Sequence, residues 1–417
     1  MKSSKNKKIQ LILKKQLEAV KPNESEITRI NLVGKEFTKS LRKKLKKKNI
    51  KADVFIGGSL AKNTLVKKDS YDIDVFVRFN QENKIPKLKE IFPKAKKIHG
   101  SRDYYQINIK DIIIEVIPVL KISKPENSVN VTDLSYFHVN YLLKKINADK
   151  KLVDEIILAK SFVHSQDCYG AESYIKGFSG YALELLICHY KSFLNFIKAI
   201  ADLDTKKILV IDDSGFYRNK NVVSEINKAK INSIILIDPT FKDRNALSSL
   251  SNETLIKFQT ACKKFLKSPN SKFFIKKSIS EEFRNYKPMV IKVKTNKQAG
   301  DIAGTKSRKF YDFFMNRLKK EFEIIKSGFD YSEEKNLAFF YFALNKKGLE
   351  VIKGPPITSV NNLSSFKKAH SKVFIKNGFA YTKLVHKLAF PRWFKLFLKK
   401  DKKIIKEMGV IKINLKK

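Results

Sequence analysis

The chain has 417 residues, enough for about two to four domains, and its 43% apolar and 11% aromatic content can bury a real core, which excludes a disordered chain. Its formal net charge of +45 calls for a polyanionic partner, because self-repulsion of that size disfavours the compact state. No stretch approaches the ~18 consecutive apolar residues of a membrane span, so a membrane-embedded function is excluded at this level.

Lysine outnumbers arginine 76 to ten, beside abundant Ile, Asn and Phe, so nucleotide bias in the genome is a second source of the basic excess. Cys168, Cys188 and Cys262 are isolated, with no CxxC pair, which points to a reducing cytoplasm and away from structural zinc or disulfides. The N-terminal MKSSKNKKIQLILKKQLEAV is basic but has no apolar segment leading to a small-residue cleavage site. A soluble, cytoplasmic protein is expected.

In chain order, residues 8–19 read as a helix broken near Pro22, and Ser25 is placed to cap a second helix. That second helix carries Ile27, Ile30, Val33, Phe37, Leu41 and Leu45 at helical spacing and closes on the basic run Arg42–Lys48. ADVFIGGSLAKNT reads as strand, glycine turn and helix start; YDIDVFVRF and NIKDIIIEVIPVL read as β-runs. Together they predict a small α/β head over 1–146. Residues 147–268 are predicted to be mostly helical, with the strongly apolar last half of YGAESYIKGFSGYALELLICHY buried, INSIILIDPT as a β-like run, and a capped helix from near Ser251. Residues 269–417 mix β-rich runs (Met289–Val293, Leu337–Leu344) with helices and a very basic end. No internal repeat or low-complexity linker separates the parts.

Three features carry chemistry. Gly57-Gly58-Ser59 follows a strand, where paired glycines let backbone N–H groups approach a phosphate and the serine hydroxyl adds a donor, although GGS also occurs in ordinary turns. Asp72 and Asp74 stand at i and i+2 on a strand and so face one side; Val75, Phe76 and Val77 make that strand apolar. Two carboxylates held side by side in such a strand ask for cations, and hard oxygen ligands suit Mg²⁺. A third acid, Glu115, stands among β-branched residues, where an unpaired charge is costly. Asp111 is its rival, at the solvated strand entrance. Three carboxylates can hold two metal ions, which activate an attacking hydroxyl and stabilise leaving pyrophosphate.

GGSLAKNT followed by DIDVF resembles the signature of polymerase-β-type nucleotidyltransferases. TDLSYFH (132–138), Lys160 with CYGAE nine residues on, KGFSGYALELL (176–186), IDPTFKDRN (237–245) and GPPITSVNNLSSF (354–366) resemble the archaeal-type, class I CCA-adding enzymes, in order over nearly the whole chain. The resemblance implies an α+β protein: a nucleotidyltransferase head (1–146), a helical nucleotide-binding middle (147–268), and a mixed α/β C-terminal body and tail that hold tRNA (269–417).

By position it also implies roles. Gly58 and Ser59 would cradle the triphosphate, with Lys62 beside it where the family usually has Arg. Asp72, Asp74 and Glu115 would bind the metals, although the family more often has Glu first and Asp third. His138, Lys160 and Tyr169 would bind the triphosphate, and Arg244 would lie at the incoming base. Each has an ordinary reading: a structural histidine, a solvated helix lysine, a turn tyrosine, an arginine paired with Asp238 or Asp243. In GFSGY, Phe178 and Tyr181 are expected to fill a core; Trp393 and Phe394 are expected to be core residues rather than stacking surfaces.

The implied reaction is template-independent addition of C, C and A to the 3′ end of tRNA from CTP and ATP, releasing pyrophosphate, with Mg²⁺ as cofactor. The implied partners are tRNA, through its acceptor end and adjoining arm, and the two nucleotides, with no membrane and with a homodimer allowed. Another template-independent RNA nucleotidyltransferase of the poly(A) type, or a non-catalytic RNA-binding protein on the same fold, remain the alternatives.

Overall fold

The computed structural model describes residues 2–218, 220–384 and 388–416. It divides into two compact units, Met1–Lys276 and Lys277–Lys417.

The first unit opens with α1 (Lys2–Val20) and α2 (Glu24–Lys47). Asn23, not Ser25, caps α2. Helix begins at Glu24, so Ser25 already lies inside it, and its hydroxyl donates to Asn23 Oδ1 (2.7 Å). Asn23 Oδ1 accepts from the Glu26 amide (2.8 Å) and the Glu26 carboxylate accepts from the Asn23 amide (3.1 Å), a capping box that satisfies two otherwise unpaired donors.

Next come β1 (Ala52–Ile56), α3 (Gly58–Ala61), β2 (Tyr71–Phe79), α4 (Leu88–Ile91), β3 (Lys96–Ile98), β4 (Tyr104–Ile109) and β5 (Ile112–Leu120). The run NIKDIIIEVIPVL is thus two strands. Lys110 takes a positive φ of 53° and turns the chain between β4 and β5, which pair antiparallel. Among the described residues the sheet order is β1-β2-β5-β4-β3, with β2 and β5 parallel. Ile73, Val75 and Val77 of β2 and Ile114 and Val116 of β5 are buried on one face against α2 residues Ile30, Leu41 and Leu45. The alternate residues, among them Asp72, Asp74 and Glu115, therefore point to the other face.

The helices α5 (Ser135–Ala148), α6 (Leu152–Ser165), α7 (Gly180–Tyr190), α8 (Phe193–Asp202) and α10 (Asn252–Lys267, capped by Ser251 as expected) build a second core around Phe162, Phe178, Phe196 and Phe258. Ile9 and Leu13 of α1 pack into this core, and Phe274 closes it. Between α8 and α10 lie β6 (Leu209–Ile211), α9 (Val222–Glu225), β7 (Ile234–Asp238) and β8 (Phe241–Asn245), so the middle carries a small sheet as well as helices.

The second unit contains α11 (Ile279–Glu282), β9 (Met289–Thr295), α12 (Asp301–Leu318), β10 (Phe322–Ser332), β11 (Leu337–Lys346), β12 (Glu350–Pro356), α13 (Val360–Ala369), β13 (Val373–Lys376), β14 (Phe379–Leu384), α14 (Phe390–Lys400), α15 (Lys402–Glu407) and β15 (Val410–Lys416). Its larger sheet runs β10-β11-β9-β15 and its smaller one β12-β14-β13. On α14, Trp393 and Phe394 join Phe310, Phe314 and Phe340 in the core, while Lys395, Lys399 and Lys400 are exposed. Those aromatics are core residues, as expected. Among the described residues no helix is long and apolar enough to cross a membrane.

Candidate nucleotidyl-transfer site

The three predicted acids share one face of the head sheet. Asp74 lies directly opposite Glu115 in the parallel β2–β5 register, and Asp72 is two residues along the same strand. The turn between β1 and α3 presses onto them. The Gly57 amide donates to the Asp74 carbonyl (2.9 Å), and a Cβ at Gly58, whose φ is +61°, would stand 1.7 Å from Asp74 Oδ2. Only glycine lets the backbone come that close. Burial, and then the charge of Asp72, push the Asp74 carboxyl above its usual range. Asp72 is more exposed and pairs with Lys68; Glu115 Oε1 accepts from Gln106 (2.8 Å). Asp111 lies in the β4–β5 turn, bound by both nitrogens of the Arg29 fork (2.9 and 2.6 Å), away from this set.

Among the described residues no three His, Cys, Asp or Glu side chains are drawn in to a ready-made metal cage. The donor set nevertheless fits a hard divalent cation: three carboxylates on one face, one of which is disfavoured as an anion by burial and then by its acidic neighbour.

Behind these acids lies a buried ionic cluster. Lys62 caps α3 and Lys160 sits on α6; each is only 7% exposed, so Lys160 is not a solvated charge. Both reach Glu184 of α7, which is 1% exposed: Lys62 Nζ donates to Oε2 (2.5 Å) and Lys160 Nζ to Oε1 (2.8 Å). Lys160 also donates to the hydroxyl (2.9 Å) and carbonyl (3.3 Å) of Thr64. Burial opposes the charge on Glu184, but Lys160 and Lys62 outweigh it and hold the carboxyl at about 2. Both lysines also favour the ionised form of Asp74, which places their charge within its electrostatic reach. Tyr169 lies in the same field. Burial raises its hydroxyl pKa first, then Glu184, Glu172, Asp74 and Asp72 add to the effect. A Cβ on Gly180 would stand 2.8 Å from the Tyr169 hydroxyl, which gives that glycine of GFSGY its role.

His138 and Arg244 meet on Asp238, with Lys62 within electrostatic reach of the imidazole. This carboxylate is 0% exposed and accepts on one oxygen from His138 Nε2 (2.9 Å) and Arg244 Nη1 (2.7 Å). Its other oxygen accepts from the Tyr181 hydroxyl (2.9 Å) and from the amide (2.9 Å) and hydroxyl (2.8 Å) of Thr240. Burial works against its charge, and His138 and Arg244 outweigh burial, holding the carboxyl well below the usual range. Because Asp238 is ionised, His138 Nε2 carries the proton it shares with it. Burial pushes the imidazole pKa down, so the neutral ring offers Nδ1 as an acceptor and donates from it only when protonated. Tyr181 is half-buried, stacked on His138 (centroids 3.9 Å) with the Arg244 guanidinium 5.6 Å from its ring. Its ring packs against the helical core, as expected, while its hydroxyl reaches the buried carboxylate of Asp238. The arginine–Asp238 ion pair offered as the ordinary reading of Arg244 is formed.

The residues thus fall into two groups: the acids with Gly58, Lys62, Lys160 and Tyr169, and the Asp238 group with His138, Tyr181 and Arg244. Sequence reasoning missed Glu184, although a lone acid in the apolar run GYALELLICHY carries the same signal that singled out Glu115.

The chain is similar to known proteins. The family model for a nucleotidyltransferase domain matches residues 38–137, and that for the second domain of tRNA nucleotidyltransferase matches 154–275. The chain is 35% identical over 343 residues to the CCA-adding enzyme of Nanoarchaeum equitans, covering 79% of this chain and 83% of that one. It is 30% identical over 400 residues to the CCA-adding enzyme of Methanocaldococcus jannaschii, covering 90% and 87%. A solved cytoplasmic RNA terminal U-transferase, 13% identical, superposes with a TM-score of 0.51 over 65% of this chain and 99% of its own, a likeness of fold.

Proposed function

The chain belongs to the CCA-adding enzymes, tRNA nucleotidyltransferases that add C, C and A to the tRNA 3′ end without a template, and from that premise we propose which of its residues carry the reaction. Asp72, Asp74 and Glu115 are the metal ligands; Gly58, Ser59, Lys62, Lys160 and Tyr169 seat the triphosphate; His138 and Arg244 meet the nucleotide from the Asp238 group. The observation that carries this reading is the parallel register placing Asp74 opposite Glu115, with Asp72 on the same face and the Gly58 turn pressed against Asp74.

Nucleotidyltransferases of this family use divalent metal ions; Mg²⁺, suited to an all-oxygen donor set, would activate the 3′-hydroxyl and neutralise charge on the departing pyrophosphate. The chain's own contribution is position and charge. Two lysines against the single carboxylate of Glu184 leave one net positive charge beside the acids, suited to a polyphosphate. The Gly58 turn fixes the backbone that a phosphate oxygen approaches. Tyr169 stays protonated and therefore remains a donor.

The test is a tRNA transcript lacking CCA, incubated with CTP, ATP and Mg²⁺ and resolved at single nucleotides. Addition of three residues and a stop is expected. A long adenosine tail would indicate a poly(A)-type enzyme, and no extension a binding protein.

The basic excess bears on the second substrate. We expect tRNA affinity to fall by about 10³–10⁵ between ~50 and ~200 mM salt if roughly six to ten phosphates are contacted, by analogy with duplex DNA. A nearly flat dependence in a filter-binding titration would make the +45 charge a compositional bias rather than an RNA footprint.

A further inference from the structure

Glu184 has no part in the roles assigned above, yet it is the most completely enclosed acid beside the triphosphate seat. A buried carboxylate is costly unless it is paired and hydrogen-bonded, and this one is met by two ammonium groups and the Thr64 hydroxyl (3.2 Å). Its partners come from two places: Lys62 and Thr64 from the segment that leaves the Gly58 turn, and Lys160 from α6. The Thr64 amide in turn donates to the Ser59 carbonyl (2.9 Å), so the cluster is tied back to the phosphate turn itself.

We propose that Glu184 is a positioning residue for nucleotide binding, a buried anchor that aims Lys62 and Lys160 and couples α7 to the turn that receives the triphosphate. This rests on the reading of Lys62 and Lys160 given above.

The donor inventory gives the two lysines different duties. An ammonium has three N–H donors. Those of Lys160 are matched by the Thr64 hydroxyl, the Thr64 carbonyl and Glu184, so Lys160 contributes charge and must release an internal partner before it donates outward. Among the described residues Lys62 donates to Glu184 alone, which leaves two N–H groups for phosphate oxygens. Glu184 holds that ammonium by one corner and leaves the others to the ligand. Its charge also balances one of two adjacent lysines; without it, two like charges would repel in a buried site.

Two variants separate positioning from packing. Glu184→Gln keeps the side-chain length and removes the charge; Glu184→Asp keeps the charge and shortens the side chain by one methylene. For a positioning residue, Glu184→Gln raises KM for CTP and for ATP alike by about tenfold to a hundredfold, the worth of charge-assisted hydrogen bonds. The two nucleotides suffer equally because the triphosphate is common to both, and tRNA affinity stays unchanged. Glu184→Asp restores much of the loss, because an anion again faces the lysines. If Glu184 only fills space, the order reverses: the near-isosteric Glu184→Gln behaves like the wild type, and Glu184→Asp loses thermal stability and activity together. Steady-state constants for each nucleotide, with thermal midpoints for every variant, decide between the two. Wild-type enzyme that adds no CCA would overturn the assigned reaction. Wild-type enzyme that adds CCA, with a Glu184→Gln variant of equal KM, would overturn the role of Glu184 alone.

Discussion

Asp74→Asn is expected to reduce nucleotide addition by about 10³-fold or more in single-turnover rate, the scale of losing several kcal/mol of charge stabilisation, with tRNA affinity nearly unchanged. Asparagine has the shape of aspartate, so the narrow gap beneath Gly58 is still filled and the Gly57–Asp74 backbone bond (2.9 Å) survives. What disappears is the charge. Burial and Asp72 already disfavour that charge, so the folded protein gains little stability from it, and the variant should unfold no earlier than the wild type. Gly58→Ala makes the complementary test: its Cβ would collide with Asp74 Oδ2 at 1.7 Å in a backbone conformation L-residues rarely adopt, so it should lose activity while keeping every acid. With RNA binding proposed to lie on basic surfaces outside the acid set, a titration showing tRNA affinity lost along with activity would make Asp74 structural.

The acids were legible because strand periodicity is simple: i and i+2 face together, and an acid among β-branched residues stands out. Strand pairing was not legible. Nothing local in IIIEVIPVL says that Glu115 will lie opposite Asp74, because register is fixed by tertiary packing across β2 and β5. The same limit hid the two anchors. Lys160 on a helix reads by default as a solvated charge, and only the fold brings it to Glu184, 24 residues away in sequence, and to Thr64, 96 away. Tyr181 reads as core and its ring does pack there, but only the fold brings its hydroxyl to Asp238, which lies 57 residues on. Local signals failed in smaller ways too. Ser25 and Asn23 are both good caps, and the choice between them depends on where the turn after α1 releases the chain. The β4–β5 turn lacks glycine, since Lys110 adopts the positive φ itself, and so two strands read as one run.

Arg244→Ala is expected to lower the efficiency of addition by about tenfold to a hundredfold, the cost of charge-assisted hydrogen bonds, and to blur the choice between CTP and ATP. The ion pair with Asp238 does not compete with this role, because it engages one edge of the guanidinium. Nη1 donates to Asp238 (2.7 Å), the Tyr181 ring lies 5.6 Å from the guanidinium carbon, and the side chain is 21% exposed. An arginine has five donors in a rigid plane, so fixing one corner on a buried anion aims the remainder. Discriminating bases requires that rigidity. Arg244→Lys keeps the charge and loses the plane; it should retain part of the efficiency and still misread the base. Asp238 itself does not become an orphan in either variant, since His138, Tyr181 and Thr240 continue to donate to it. The stability cost should therefore stay well below the ~3–5 kcal/mol of a buried charge left without a partner. If Arg244 served only that ion pair, both variants would melt earlier and add nucleotides with the wild-type preference. Single-turnover rates for CTP and ATP, on tRNAs ending one and two nucleotides short, separate the cases. An unchanged preference in both variants would remove Arg244 from the nucleotide site while leaving the acids of β2 and β5 in theirs.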